Sequence, residues 1–338
     1  MRRWIPWLVA LAFVSPVVAP STSTAEGNKP SRARKAGDKK KPRKKAKSKT
    51  KRASKTSLAS RRSETRKHVG SPRPAILTIL EREIHCPSDM VAVAGRVCVD
   101  RFETSLVDAA SGKAWSPFYP PDLARATESF VFYRDARERA PERSLDAMMP
   151  LPPVPTWSPK AKAVSAQNVL PQGYLNADQA QAACQEAGKR LCTEAEWLTA
   201  CRGEDNREFP YGATYEQGTC NVYRENHPSA LLHNNASRYH DDPRNNLVVF
   251  EGKSLLQKTG AAPRCASRWG NDAIMDMVGN LDEWVDDQNG VFVGGFYSRG
   301  TRAGCFSRID AHPRGYSDYS TGTRCCADPI ETTATVDP

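Results

Sequence analysis

The sequence predicts an α+β fold with little regular secondary structure, held together by disulfides. Three observations carry this expectation. The 338 residues include ten cysteines, an even number, with no tight Cys-x-x-Cys pair of the kind a metal cluster uses. Two segments, 176–188 and 193–203, have helix signatures with caps at both ends. The other apolar runs are short and are broken by Gly, Asn and Pro, which reads as brief strands joined by turns.

The first 25 residues read as a secretory signal peptide. Arg2 and Arg3 precede an apolar run from Trp4 to Val14, continued by Val17 and Val18, and small-residue cleavage options follow at Val17-Val18-Ala19 and Ser23-Thr24-Ala25. The run is too short and too interrupted by proline for a membrane span, which needs roughly 20 apolar residues, and no later run approaches that length. A secreted, periplasmic or cell-envelope location follows, and it accounts for the cysteines as disulfide partners.

Residues 26–74 are expected to be a disordered basic tail. They hold almost no large apolar side chain, so they cannot bury enough surface to offset ordering entropy. Between Lys29 and Lys67 there are 19 Lys and Arg against Asp38 and Glu64, a local charge of +17. Arg2 and Arg3 add two and Glu26 subtracts one, so the whole-chain +11 leaves −7 for residues 68–338. The basic balance therefore belongs to the tail. After export its expected partner is an anionic envelope polymer or surface rather than nucleic acid, unless it is only a spacer.

A single domain is expected over 75–330, with order beginning near Cys86 and a disordered end at 331–338. Met90–Val93 and Arg96–Asp100 form a hairpin around Ala94-Gly95, and Cys86 and Cys98 flank it closely enough to pair. Residues 106–172 carry ten prolines and read as an irregular, largely extended excursion with one short helix near Asp135–Arg143. Asn176 and Gln179 then resemble a capping box for a helix whose Ala177, Ala180, Ala183, Cys184 and Ala187 share one face, ended by Gly188. Thr193 and Glu196 cap a second helix that buries Trp197, Leu198, Ala200 and Cys201 and stops at Gly203. From Tyr211 to Gly270 only turns and irregular pieces are legible, a length that calls for clamps such as disulfides or metal ions. Val291–Tyr297 reads as a strand broken by Gly294-Gly295, and Thr321–Cys326 as a last short strand.

The stretch Asp276–Trp284 carries the most chemistry. An apolar run leads into a Gly-Asn turn followed at once by carboxylates and Trp284. Calcium takes carboxylate oxygens and backbone carbonyls exposed at sharp turns, so Asp276, the carbonyls of Gly279 and Leu281, and Glu283 are candidate ligands; a plain turn with an acidic rim is the alternative. Other chemistries find little support. The six histidines form no His-x-His or His-Glu-x-x-His pair, and no phosphate loop, nucleophile elbow or dinucleotide fingerprint is present.

Several motifs fall in a known order. Gly188-Lys189-Arg190-Leu191-Cys192-Thr193-Glu194-Ala195-Glu196-Trp197, Cys201-Arg202-Gly203, Phe209-Pro210-Tyr211-Gly212, Met277-Val278-Gly279-Asn280-Leu281-Asp282-Glu283-Trp284, Gly294-Gly295 and Gly322-Thr323-Arg324-Cys325 together resemble the formylglycine-generating enzyme, or sulfatase-modifying factor, family. The likeness spans about residues 89–327 and implies an irregular variant of the C-type lectin fold with bound calcium. It implies calcium ligands at Asp276, Gly279, Leu281 and Glu283, and a second calcium site beginning at Asn221 and Val222, whose completing Asp-Gly-Phe element is not recognisable. It further implies a Cys184–Cys325 disulfide and a partner for Cys201 in the last third, for which Cys305 is the natural candidate and Cys220 the rival. Cys192, Cys265 and Cys326 stay unassigned.

The family's enzymes bind copper(I) through two cysteines shortly after the Gly-Gly element, soft thiolates of the kind copper(I) needs. Here Arg299 stands at the first position and Gly304 at the second, with Cys305 displaced by one residue. Two expectations follow. The first is an exported, calcium-stabilised binding module for a protein or envelope glycan, with Phe296, Tyr297, Arg299, Arg302 and Arg308 as its ligand surface, joined by Trp269, Arg314, Tyr316 and Tyr319. The second is a copper- and O₂-dependent oxidoreductase with a rearranged centre, which requires Cys305 as a free catalytic thiol.

Overall fold

The computed structural model describes residues 84–157, 159–300 and 302–331. The expected leader, the basic stretch 26–74 and the residues beyond 331 lie outside the described residues. Two four-stranded sheets organise the domain. In the first, Met90–Val93, Val97–Asp100, Cys325–Ala327 and Arg190–Leu191 lie side by side, all antiparallel. In the second, the order is Arg308–Ile309, Val291–Val293, Asp282–Val285 and Thr321–Thr323, the last pair parallel. Thr321–Thr323 and Cys325–Ala327 belong to different sheets, so the chain crosses from one to the other at Arg324. A further antiparallel pair joins Ile84–His85 to Ile330–Glu331 at the two ends of the described chain.

Both expected helices form where their caps require. Ala177–Glu186 and Glu194–Arg202 each start with a complete capping box, on Asn176/Gln179 and Thr193/Glu196. Ala177, Ala180, Ala183 and Cys184 bury one face of the first against Leu106, Leu191, Trp284 and Phe292. The second buries Trp197, Ala200 and Cys201 among the valines of both sheets.

The stretch 106–172 departs from expectation. It holds a 17-residue helix, Leu123–Arg139, and a short one, Leu145–Met148, with Thr104–Asp108 and Ala161–Ser165 paired across its base. Asp122 caps the long helix by accepting from the Arg125 amide, and only Ala126 and Tyr133 are buried on it. A helix polar on most of its circumference has no apolar stripe for periodicity to find.

All ten cysteines are paired: Cys86–Cys98, Cys184–Cys325, Cys192–Cys326, Cys201–Cys305 and Cys220–Cys265. The rival Cys201–Cys220 pairing does not form, because Cys220 clamps the irregular 211–270 stretch through Cys265. Among the described residues no helix is long and apolar enough to cross a membrane.

Candidate functional site

The Asp276–Trp284 turn is built on left-handed backbone at Asp276, Gly279 and Asn280, with φ of 58°, 86° and 61°. Glycine is required at 279, since a Cβ there would sit 2.3 Å from the Asn221 carbonyl oxygen. Asn280 ties the turn down: its Oδ1 accepts from Asn221 Nδ2 and the Gln257 amide, each at 2.9 Å, and its Nδ2 donates to Glu103 Oε2 at 2.7 Å. The Leu281 amide donates to the other Glu103 oxygen at 3.1 Å. The sequence reading gave no site role to Glu103, which lies 178 residues before Leu281 and is nearly fully buried under the turn.

Glu283, an expected calcium ligand, has both carboxylate oxygens engaged. Arg324 grips it through Nε and Nη2 at 2.7–3.0 Å, and the Trp197 indole donates to Oε2 at 2.6 Å. Arg324 also donates to the carbonyls of Asp100 and Met275, each at 2.9 Å, so its guanidinium stitches the two sheets where the chain crosses between them. Three buried carboxylates, Glu103, Asp276 and Glu283, thus surround a single buried guanidinium. Burial pushes Asp276 up to about 6, and burial with the Asp276 and Glu283 charges holds Glu103 well above the carboxylate range. This surplus of hard oxygen donors suits a divalent cation in charge and chemistry. Asp276 and Glu103 carry the uncompensated part, while Glu283 is spoken for by Arg324.

The second calcium position does not fit. Asn221 Oδ1 accepts from Arg224 Nε at 2.8 Å and its Nδ2 is committed to Leu255 and Asn280, so its side-chain oxygen is already engaged by a cationic side chain. The copper pair does not fit either. Cys305 is buried in its bridge to Cys201. Gly304 has φ 59°, and a Cβ there would lie 2.3 Å from the Glu208 carbonyl oxygen and 2.9 Å from the Phe209 ring, so the second thiol has no room. Arg299 replaces the first thiol with a guanidinium that pairs with buried Asp282 and lies 4.9 Å over the Phe296 ring. Burial pushes Asp282 up to about 7, against the opposing pull of Arg299.

The expected ligand surface is only partly assembled. Tyr297 is fully buried and donates to Asn246 at 3.0 Å, and Phe296 is nearly so. Arg308 takes Glu194 and Asp310 as partners, Arg314 takes Asp178, and Tyr319 is core. Trp269 donates to the Ala200 carbonyl at 3.2 Å, and Tyr316 stacks on His312 at 3.9 Å. Arg299 is held by Asp282, which leaves Arg302. Arg302 is exposed and faces two tyrosines, Tyr215 and Tyr223, that sequence reasoning did not single out.

Asp146, His233 and Asp242 lie close enough to suggest a metal, but the imidazole sits between the carboxylates, Nδ1 3.1 Å from Asp146 and Nε2 2.7 Å from Asp242. Arg244 bridges the same two carboxylates at 2.6 and 2.8 Å. The three groups therefore form a charge network that docks the helix Leu145–Met148, not a convergent ligand set.

A family model described as the sulfatase-modifying factor enzyme 1-like domain matches residues 154–325, just over half of the chain. The formylglycine-generating enzyme of Bos taurus is 26% identical over 236 residues, covering 64% of this chain and 57% of that protein. That of Mus musculus is 27% identical over 234 residues, with the same coverage of 64% and 57%. The chain thus spans less than two thirds of the length of these relatives. Among solved structures, PvdO from Pseudomonas aeruginosa is similar at 13% identity with a TM-score of 0.33, covering 73% of this chain and 90% of that chain.

Proposed function

The chain belongs to the sulfatase-modifying factor enzyme 1-like family, and from that premise we propose that it is an exported binding module, stabilised by calcium, in which the family's copper chemistry has been replaced. One observation carries the reading: every cysteine is committed to a disulfide, and the two positions where relatives' thiols are expected hold an ion-paired arginine and a glycine with no space for a side chain. Copper(I) needs soft thiolates. Five disulfides suit folding in an oxidising compartment, in keeping with the leader-like N-terminus.

Calcium would be held by Asp276, with the Gly279 and Leu281 carbonyls, and with Glu103 supplying charge from below; it would neutralise the carboxylate surplus around Arg324. The basic tail adds a salt-sensitive attraction to anionic envelope polymers or surfaces. The oxidoreductase alternative needs Cys305 to leave its bridge. Oxygen consumption by copper(I)-loaded protein with a cysteine-containing peptide tests the choice. The module gives none above free copper, and sustained turnover sinks the proposal.

A further inference from the structure

One strip of arginines and tyrosines stands out beside the Arg299 loop. At one end a cavity of about 350 Å³ is walled by Arg207, Arg264, Arg268 and Tyr211. Tyr211 stacks on Phe209 with centroids 5.4 Å apart, Phe209 lies 6.1 Å from Tyr215, and Tyr215 meets Tyr223 edge-on at 5.9 Å. At the other end the Arg302 guanidinium covers both tyrosines, 5.1 Å from Tyr215 and 4.6 Å from Tyr223. The Cys220–Cys265 and Cys201–Cys305 bridges pin the loops that carry these residues.

The charge of the strip runs against its surroundings. Residues 68–338 sum to −7, yet Arg268 and Arg302 are exposed and have no carboxylate partner among the described residues. Arg207 pairs with Asp205, and Arg264 with Glu216 at 3.3 Å. Both are exposed, solvent-screened pairs, which a ligand carboxylate can replace. A guanidinium meets a carboxylate through two parallel hydrogen bonds, and stacking on an aromatic face holds its planar fork in place. We propose that this strip binds an acidic glycan, its carboxylates on Arg264, Arg268 and Arg302, the last held in place over Tyr215 and Tyr223. The proposal rests on the binding-module reading and names its ligand class. Single-stranded nucleic acid uses similar side chains, but five disulfides suit a compartment that holds glycans, and Tyr215 and Tyr223 cross at 64° and so do not present parallel platforms for successive bases.

The test titrates the full chain with fluorescent oligogalacturonate at about 0.15 M salt, where surface charges are screened beyond roughly 8 Å. Wild type should bind it and ignore a neutral glucose oligomer of equal length. Arg268→Ala with Arg302→Ala should weaken binding by about tenfold or more. The corresponding double lysine variant, which keeps charge but loses the fork, should fall between. Both side chains are exposed, so the variants retain the fold, checked by unchanged melting. Variants that bind as wild type assign the affinity to the tail and overturn the strip, as does tighter binding of an oligothymidylate. Those failures leave the module reading standing, because that reading fails on copper-dependent peptide oxidation or a free Cys305, neither of which this titration measures.

Discussion

Replacing Arg324 by methionine should be among the most damaging single changes in the domain. The guanidinium is fully buried and makes its bonds to Glu283 and to the Asp100 and Met275 carbonyls where the two sheets meet. Methionine fills much of the volume but leaves Glu283, Glu103 and Asp276 without a cation and two carbonyls without donors. Breaking a buried pair from one side costs about 3–5 kcal/mol, a large share of the roughly 5–15 kcal/mol that holds an ordinary domain. Glu283→Gln removes one negative charge from a surplus and keeps one oxygen to accept from Trp197 and the Arg324 Nε, while its amide nitrogen faces the Arg324 Nη2 donor without a bond, and should cost about 1–3 kcal/mol. Guanidinium unfolding with disulfides intact, followed by tryptophan fluorescence, measures both. An Arg324→Met cost below about 1 kcal/mol, or a Glu283→Gln cost equal to it, would refute the claim that this guanidinium neutralises a carboxylate surplus.

Three further outcomes follow. Removing the Cys201–Cys305 bridge by a double alanine substitution opens a loop of 104 residues and should cost on the order of 4–5 kcal/mol in the chain-entropy model, read as a lower unfolding midpoint. His227 is held down to about 4, first by burial and then by His240, from an ordinary value near 6.5. Between those values the unfolded chain takes up a proton that the folded one refuses, so stability should fall as pH drops from 6.5 towards 4 and level off below, and His227→Gln should flatten that part of the profile. Calcium should raise the melting temperature of wild type at neutral pH, chelator should reverse the rise, and Asp276→Asn should abolish it. A wild type indifferent to calcium removes the cation from the account.

What the sequence disclosed depended on the range of the interactions involved. The hairpin over 90–100 and the helices after Asn176 and Thr193 are set by turn and cap residues within a few positions of one another, and they form where those residues stand. The helix Leu123–Arg139 escaped because it buries little and is anchored at a distance, by Tyr133 to Asp241 and Arg137 to the Ala147 carbonyl. Its signal was available in Asp122 followed by seventeen residues free of Pro and Gly. Glu103 beneath the turn and Arg324 against Glu283 belong to segments 178 and 41 residues away from their partners, beyond the reach of local pattern. The aromatic part of the expected ligand surface misled for a related reason: Phe296, Tyr297 and Tyr319 pack together as core, and the side of a loop that faces inward is decided by the segments packed against it.

The central claim is that this chain lacks the thiolate centre of its enzymatic relatives. A non-reducing peptide map of the unreduced, full-length protein, with free thiols alkylated before digestion, tests it most directly. The account predicts no alkylated cysteine and a peptide joining Cys201 to Cys305. Alkylated Cys305 in a protein whose other four bridges are formed would contradict it and restore the oxidoreductase reading.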